Sequence, residues 1–298
     1  MADDPPPLTD DQTSGRMFVR WNAVTLLIGV VVLLLGGLAL RARGDDAPGL
    51  LGLTLDPAWD DGRAEVARYA ARRAVYGREQ AYTLVRLAVK EPFDPARAVK
   101  PDAPGPGHVD AIKVGAVHAV PTGRAYEHRQ TLFLRVDRRD PRRALDLSMG
   151  SQEWCGNTFV RLVRRPGGLA RQAHSYWEGE GDWSDELPAG VWLEDQLPFT
   201  LRTLAPRALE VDLLPTTLGL RAAPTRPARA RVEAEGEEQV TTPAGEFRCV
   251  RWVVRAGERV ARYWVATDAP LRPLVRFEDA TGQGALLSLE RAAYWAEE

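Results

Sequence analysis

Residues 246–266 read EFRCVRWVVRAGERVARYWVA, and residues 273–295 read PLVRFEDATGQGALLSLERAAYW. Apolar and polar residues alternate along both runs, which is typical of strands with one buried face. Short turn sequences divide them, among them Arg255-Ala256-Gly257 and Thr281-Gly282-Gln283-Gly284. Consecutive strands joined by such short loops predict an antiparallel meander.

The strands predicted in this part of the chain are Arg229–Val232, Glu246–Ala256, Glu258–Ala266, Pro273–Asp279 and Ala285–Trp295. We expect one buried face to carry the aromatic residues Trp252, Tyr263, Trp264, Phe277, Tyr294 and Trp295.

The same alternation extends toward the N-terminus. Further strands are predicted over 81–90, 111–120, 130–137, 144–148 and 158–164. The segment Asp61–Tyr76 is ambiguous, and its first half favours a strand. Asp94–Asp110 and Gly179–Gly190 are predicted loops, and Leu193–Leu204 is the best helical candidate, with Pro198 in its first turn or at a kink.

The predicted fold class is therefore mainly β. We expect a large curved antiparallel sheet or open β-barrel with few helices, preceded by one N-terminal transmembrane helix.

The run Ala23–Leu40, AVTLLIGVVVLLLGGLAL, contains no charged residue. As a helix it would extend over roughly 27 Å, close to the hydrocarbon thickness of a bilayer. It predicts a transmembrane anchor over residues 20–41. A cleaved signal peptide is the alternative, but the preceding polar segment is long and the apolar run exceeds the usual length of a signal sequence.

The anchor divides the chain into four parts. We expect an acidic, proline-rich disordered tail (1–15), the anchor (20–41), a linker (44–57) and a β-rich extracytoplasmic domain (58–298). Arginines flank the apolar run almost equally on both sides, so the positive-inside rule is nearly a tie. Because a short tail before a single span usually exports the domain behind it, we predict a bacterial inner-membrane protein with its domain in the periplasm.

The charge distribution argues against a nucleic-acid partner. The formal net charge is −2, and acidic residues are interleaved with the arginines throughout. The basic run Arg138–Arg143 predicts a solvated turn between strands, and contact with anionic lipid headgroups is the alternative.

Two segments are unusually rich in aromatics, carboxylates and glycines: Ser151–Thr158 (SQEWCGNT) and Ser175–Asp182 (SYWEGEGD). Such mixtures line ligand sites, although they also form bulges and corners of a sheet. The candidate ligand-binding residues are Gln152, Glu153, Trp154, Cys155, Asn157, Tyr176, Trp177 and Glu178.

No catalytic signature accompanies these residues. Cys155 has no histidine at a spacing that would pair with it as a base, and the four histidines show no metal-ligand spacing. No metal or cofactor is predicted. Cys155 and Cys249 are the two cysteines, so a disulfide between them and two free thiols are both open.

The motifs SQEWCGNTF (Ser151–Phe159) and SYWEGEGD resemble an uncharacterised bacterial envelope family, some of whose members carry the label septum formation inhibitor Maf. Maf proteins carry a Ser-x-Ser-Pro-Arg-Arg loop near the start of the chain. In this chain the motif is matched only in part, by Asp140-Pro141-Arg142-Arg143, which lacks the serines. Residues 205–298, with TTPAGEFRCVRWVV and RYWVATDAPLRPLVRFE, resemble the DUF3108 domain. That resemblance implies a curved antiparallel sheet similar to periplasmic lipoprotein carriers, and it assigns no catalytic residues.

Three functions are consistent with these features. The first is a non-enzymatic, membrane-anchored envelope protein that binds an apolar or amphipathic ligand, of lipid or lipoprotein type, or an envelope partner in its concave face. The second is an envelope hydrolase that uses the region of Glu153, Cys155 and Glu178. The third is a purely structural scaffold. The sequence does not determine the oligomeric state.

Overall fold

A computed structural model describes residues 49–296. They contain one 15-stranded sheet with the strand order β8-β7-β6-β5-β4-β3-β2-β1-β15-β14-β13-β12-β11-β10-β9. All neighbouring strands are antiparallel except β9 and β10, which are parallel. The predicted tail (1–15) and anchor (20–41) lie outside the described residues, and within residues 49–296 no helix is long and apolar enough to cross a membrane.

The strands in chain order are β1 Ala64–Val75, β2 Arg78–Phe93, β3 Val109–Pro121, β4 Glu127–Asp137, β5 Ala144–Glu153, β6 Gly156–Arg165, β7 Gly168–Ser175, β8 Asp182–Pro188, β9 Trp192–Leu193, β10 Ala208–Leu214, β11 Ala228–Thr242, β12 Gly245–Ala256, β13 Arg259–Ala266, β14 Leu274–Asp279 and β15 Gly282–Ala292. The helical elements are Leu53–Leu55, Pro57–Asp60, Glu194–Gln196, Leu197–Thr200 and Leu201–Thr203.

The prediction of a mainly β fold with a large open sheet is confirmed. One predicted loop is wrong, because Asp182–Pro188 is strand β8 at an edge of the sheet. Its inward positions include Asp185, which looks like a loop residue in the sequence. In the structure, Asp185 accepts two hydrogen bonds from Arg171 of the neighbouring strand, at 2.9 and 2.7 Å.

The sheet must curl, because its two edges are joined by a very short loop. β8 and β9 lie at opposite edges of the 15-stranded sheet, yet only residues 189–191 connect them. Fourteen strand spacings would extend over about 65 Å in a flat sheet, whereas this loop reaches no more than about 15 Å. No backbone ladder joins β8 to β9 in the described residues, so the barrel-like sheet stays open at this seam.

The aromatic residues of the C-terminal strands divide between two faces. Trp252, Tyr263 and Phe277 are cross-strand partners, and they form a buried row on the main core. Trp264 is also buried, but it packs in a separate small cluster with Cys249. The expectation that Tyr294 and Trp295 share the buried face is wrong, since both follow the end of β15 and are exposed.

A central segment, residues 193–204, fills the inside of the curled sheet. Every residue of it is buried, and it contacts strands from distant parts of the sheet, namely β4, β13 and β14. The prediction of helical structure here is confirmed as three consecutive short turns, with Pro198 in the first turn of Leu197–Thr200. The proline needs no N–H partner at this position.

The segment predicted as a linker (44–57) is part of the domain from Gly49 onward. Leu50 forms an isolated bridge with Leu204, and the N–H of Leu51 donates to the carbonyl of Thr203. Trp59 is buried and packs edge-on against Phe199 at 6.0 Å between ring centroids. The sequence pattern missed this docking because it depends on apolar residues of the central segment, which are far away in the chain.

A buried ion pair holds the central segment in place. Both terminal nitrogens of Arg202 donate to the carboxylate of Glu65 on β1, at 2.6 and 2.7 Å. Arg202 also donates to the carbonyl of Leu271 between β13 and β14. Both charged side chains are at least nine-tenths buried, so removing one of them leaves the other charge unpaired in the core.

We therefore expect Glu65→Ala to lower the free energy of unfolding by about 3–5 kcal/mol. The matched control is Glu290→Ala on β15. This variant breaks an ion pair with Arg68, which lies on β1 like Glu65. Because that pair is about half exposed, the control should cost less than about 1 kcal/mol. Urea unfolding of the full chain measures both. Equal losses in the two variants would contradict the proposed role of Arg202.

Candidate functional site

The first predicted site segment lies at the turn between β5 and β6. Glu153 pairs with Gly156, so Trp154 and Cys155 form a two-residue hairpin turn. Gln152 and Asn157 face each other one pair further back. Tyr176, Trp177 and Glu178 lie in the loop between β7 and β8.

Both turns lie at the same end of the sheet. In an antiparallel meander the loops after β1, β3, β5 and β7 all emerge at one end. These loops are residues 76–77, 122–126, 154–155 and 176–181. The aromatic residues that they contribute are Tyr76, Tyr126, Trp154, Tyr176 and Trp177, and we call this set the aromatic surface.

Direct contacts join three of these loops. The rings of Tyr126 and Trp154 are stacked, with centroids 5.4 Å apart and an interplanar angle of 21°. The Tyr76 hydroxyl donates to the Glu153 carboxylate. Arg124 lies 5.0 Å above the Tyr76 ring and donates to the Tyr126 hydroxyl at 3.3 Å. The arrangement is a stacked aromatic pair beside a fixed carboxylate and a fixed cation.

Tyr76 occupies a backbone conformation that bulky residues rarely adopt. Its φ is 50°, and the following Gly77 has a φ of 72°. Two left-handed residues in a two-residue turn are typical of Asn-Gly and Gly-Gly, not of tyrosine. Burial and the hydrogen bond to the negatively charged Glu153 also raise the pKa of the Tyr76 hydroxyl. Strained residues of this kind occur preferentially where a side chain has a function.

The loop between β7 and β8 lies against the first hairpin. The Tyr176 ring lies so close to Gly156 that a Cβ at this position would come within 2.2 Å of it. The indole N–H of Trp177 donates to the Leu220 carbonyl at 2.9 Å, and Arg221 lies 4.8 Å above its ring. Glycine at position 156 is therefore what allows the two predicted segments to pack together.

The predicted carboxylate Glu178 does not join this arrangement. It is exposed, and it forms no hydrogen bond or ion pair with any of the residues that the structure describes. Glu180, two residues further along the same loop, is the carboxylate that is held in place. It accepts hydrogen bonds from the Ser175 hydroxyl and the Ala222 N–H, at 2.6 and 2.9 Å. The hydrolase hypothesis therefore loses one of its three residues.

Cys155 lacks the partners of a nucleophile. The polar atom in contact with its thiol is the Tyr126 hydroxyl, at 3.8 Å. The two buried histidines nearby have other partners, Ser151 for His128 and Tyr82 for His118. Across residues 49–296, no cluster of three or more His, Cys, Asp or Glu side chains could hold a metal ion.

The disulfide that the sequence left open is not formed. Cys155 is exposed at the turn between β5 and β6, whereas Cys249 is buried within β12, and both are free thiols. Cys249 packs with Val240, Trp264 and Val275, and burial raises the pKa of its thiol to about 12. It therefore behaves as a small apolar core residue.

The concave face offers little space for a ligand. The central segment lies against it, and the pocket beside Asp195, Thr216 and Arg86 has a volume of about 10 Å³, enough for about one water molecule. A second pocket, beside Glu194 and Arg259, has a volume of about 200 Å³. Both are smaller than the roughly 300–1,000 Å³ that is typical of small-molecule sites, so they favour a ligand site on the outside of the domain or at its ends.

Two residues of the aromatic surface, Tyr76 and Tyr126, and the neighbouring Arg124 were absent from the predicted site. Each lies in or beside a turn far from Trp154 in the chain, and only the strand order brings them together. The turn signal at Tyr76-Gly77 was visible in the sequence, but nothing there indicated its neighbour.

The buried histidines beneath this end should make stability depend on pH. Burial and the charge of Arg73 lower the pKa of His128 from 6.5 to about 4. Between these values the unfolded chain binds a proton that the folded chain lacks, so the free energy of unfolding falls as the pH drops through this window. We expect His128→Gln to make this loss shallower. The measurement is the difference in free energy of unfolding between parent and variant from pH 7.5 to 4. A difference that stays constant with pH would contradict the assignment.

Comparison with known proteins gives one structural likeness. No family model matches this chain, and no curated protein matches it. The chain is similar to the crystal structure of a beta-barrel-like protein of the domain of unknown function DUF1849 from Brucella abortus, with a TM-score of 0.44 and 8% sequence identity. The match covers 78% of this chain and 98% of that chain.

Proposed function

We propose that this chain is a membrane-tethered, non-enzymatic protein of the bacterial envelope that binds an amphipathic ligand of lipid or lipoprotein type on its aromatic surface. The anchor predicted over residues 20–41 would hold the domain at the inner membrane, on the periplasmic side. The small volumes of the two pockets beside the central segment support a binding surface at an end of the domain instead of a cavity within it.

The observation that carries this proposal is the exposure of the aromatic rings. Trp154 is 77% exposed and Tyr176 is 61% exposed, although both are large and apolar. Trp154 is nevertheless held in place by its stacking on Tyr126. Exposed apolar side chains that are clustered and fixed mark interaction sites, and an aromatic ring with a polar edge suits an amphipathic partner.

Trp154→Ala tests this proposal, with Trp295→Ala as the matched control. Trp295 is an exposed tryptophan outside the aromatic surface. We expect the lipids and lipopeptides that co-purify with the full-length protein, measured by mass spectrometry, to include a class that drops about thirtyfold in the first variant only, since loss of an aromatic anchor costs about 2 kcal/mol. Because the anchor is unchanged in all samples, lipids bound there cancel in the comparison.

The same measurement separates ligand binding from a purely structural role, which the filled interior favours as the second candidate. Identical lipid profiles in the parent and in both variants would overturn the binding proposal and leave the scaffold.

Cys155 provides a test of the proposed orientation. It is exposed, whereas Cys249 is buried, so a membrane-impermeant maleimide should modify the full-length protein once, in intact cells with a permeabilised outer membrane. Labelling should disappear in Cys155→Ser and persist in Cys249→Ser. Labelling that requires lysis of the inner membrane would place the domain in the cytoplasm and contradict the proposal.

A further inference from the structure

A groove lies at the end of the sheet opposite the aromatic surface. Its volume is about 850 Å³, within the range of about 300–1,000 Å³ that is typical of small-molecule sites. The loops 94–108, 138–143, 166–167 and 189–191 surround it, so it lies across the seam between β8 and β9.

Arginines dominate the lining of this groove. Arg142, Arg143, Arg164 and Arg165 line it together with a single carboxylate, Asp140. The Asp140 carboxylate is paired with Arg142, from which it accepts two hydrogen bonds, at 2.7 and 3.0 Å. The charges of the other three arginines therefore face the groove without a counterion in its lining.

Two of these arginines are bound only through backbone carbonyls. Arg164 donates through Nε to Ala144 at 2.9 Å and through Nη1 to Ala189 at 2.6 Å. Arg165 donates to Ala96 at 3.3 Å. Neither has a carboxylate within ion-pair distance among the described residues. Arg143 is half exposed, with Asp137 at 3.5 Å.

The electrostatics agree with this arrangement. Burial, together with the positive charge of Arg143, lowers the pKa of Arg164. A bound anion would relieve both effects, because it offers the guanidinium groups acceptors in a partly buried site.

The groove is also preorganised. From the central segment, Gln196 donates to the carbonyl of Arg142 at 2.9 Å, and Thr200 donates to the carbonyl of Pro141 at 2.8 Å. These bonds fix, from inside the sheet, the backbone of the loop 138–143, which we call the arginine turn. On its apolar side the groove presents Val191 and the half-buried ring of Trp192.

We propose that this groove binds a phosphate-bearing anion, with the phosphate on Arg143, Arg164 and Arg165 and any apolar part of the ligand against Trp192. Planar guanidinium groups recognise phosphate oxygens through paired hydrogen bonds. The site is separate from the aromatic surface and does not depend on what binds there.

Two sources could supply this chemistry, a lipid headgroup or a soluble phosphate ester. The N-terminal segment lies at this same end, since Arg138 of the arginine turn donates to the Thr54 carbonyl at 2.9 Å and to Asp60 at 2.6 Å. The headgroup source rests on the tether of the proposed function, because the tether would hold the domain beside the membrane. The soluble source does not rest on the tether.

The test uses the fluorescence of Trp192 in the full-length protein, taken as the difference between the parent and Trp192→Phe. One arm titrates inorganic phosphate and glycerol 3-phosphate in a neutral detergent. The other arm compares the protein in phosphatidylcholine vesicles with and without phosphatidylglycerol. We expect a saturable change in at least one arm. A change in the first arm alone identifies a soluble ligand, and a change in the second alone identifies a headgroup.

The arginine dependence then decides whether the groove is responsible. Arg143→Ala combined with Arg165→Ala should weaken binding by about tenfold or more, because each removes charge-assisted hydrogen bonds. Arg139→Ala is the matched control, since Arg139 is exposed on the same turn but does not line the groove. Arg165→Lys should give an intermediate loss. No response in either arm, or an equal loss in the Arg139 variant, would overturn the proposal, and neither outcome depends on the Trp154 result.

Discussion

The buried ion pair between Arg202 and Glu65 is the interaction on which the rest of the architecture depends. The central segment lies inside the curled sheet, where all of its residues are buried and contact strands from distant parts of the sheet. That segment carries polar and charged residues into the core, where each one must find a partner. The bidentate pair with β1 and the bond to the Leu271 carbonyl supply those partners for Arg202. They also fix which residues of the segment face which strands.

The two ends of the sheet differ in chemistry because different loops emerge there. The loops at one end carry tyrosines and tryptophans, whereas the groove at the other end is lined by arginines. The central segment reaches the arginine end directly, through Gln196 and Thr200. The same segment that packs against the concave face therefore also stabilises a groove on the outside.

Local patterns were enough to predict most of the strands, because alternation and turn residues are properties of neighbouring positions. The strand β8 was missed because its inward aspartate, Asp185, is satisfied by Arg171, and a partner on another strand is invisible in a local pattern. The docking of Trp59 on Phe199 was missed for the same reason. Part of the aromatic surface could be identified from composition, namely Trp154 and Tyr176, whereas Tyr76 and Tyr126 join it only through the strand order. Whether these residues bind a ligand stays a prediction.

The pairing of the first strand with the last has a consequence for the synthesis of this protein. β1 lies in the middle of the sheet, between β2 and β15, so one of its edges stays unpaired until residues near the C-terminus have been made. Contacts between such distant parts of a chain form slowly, and an unpaired strand edge invites association with other chains. Newly made molecules should therefore pass through a period of vulnerability to aggregation, and removing β15 would expose the centre of the sheet, not its margin.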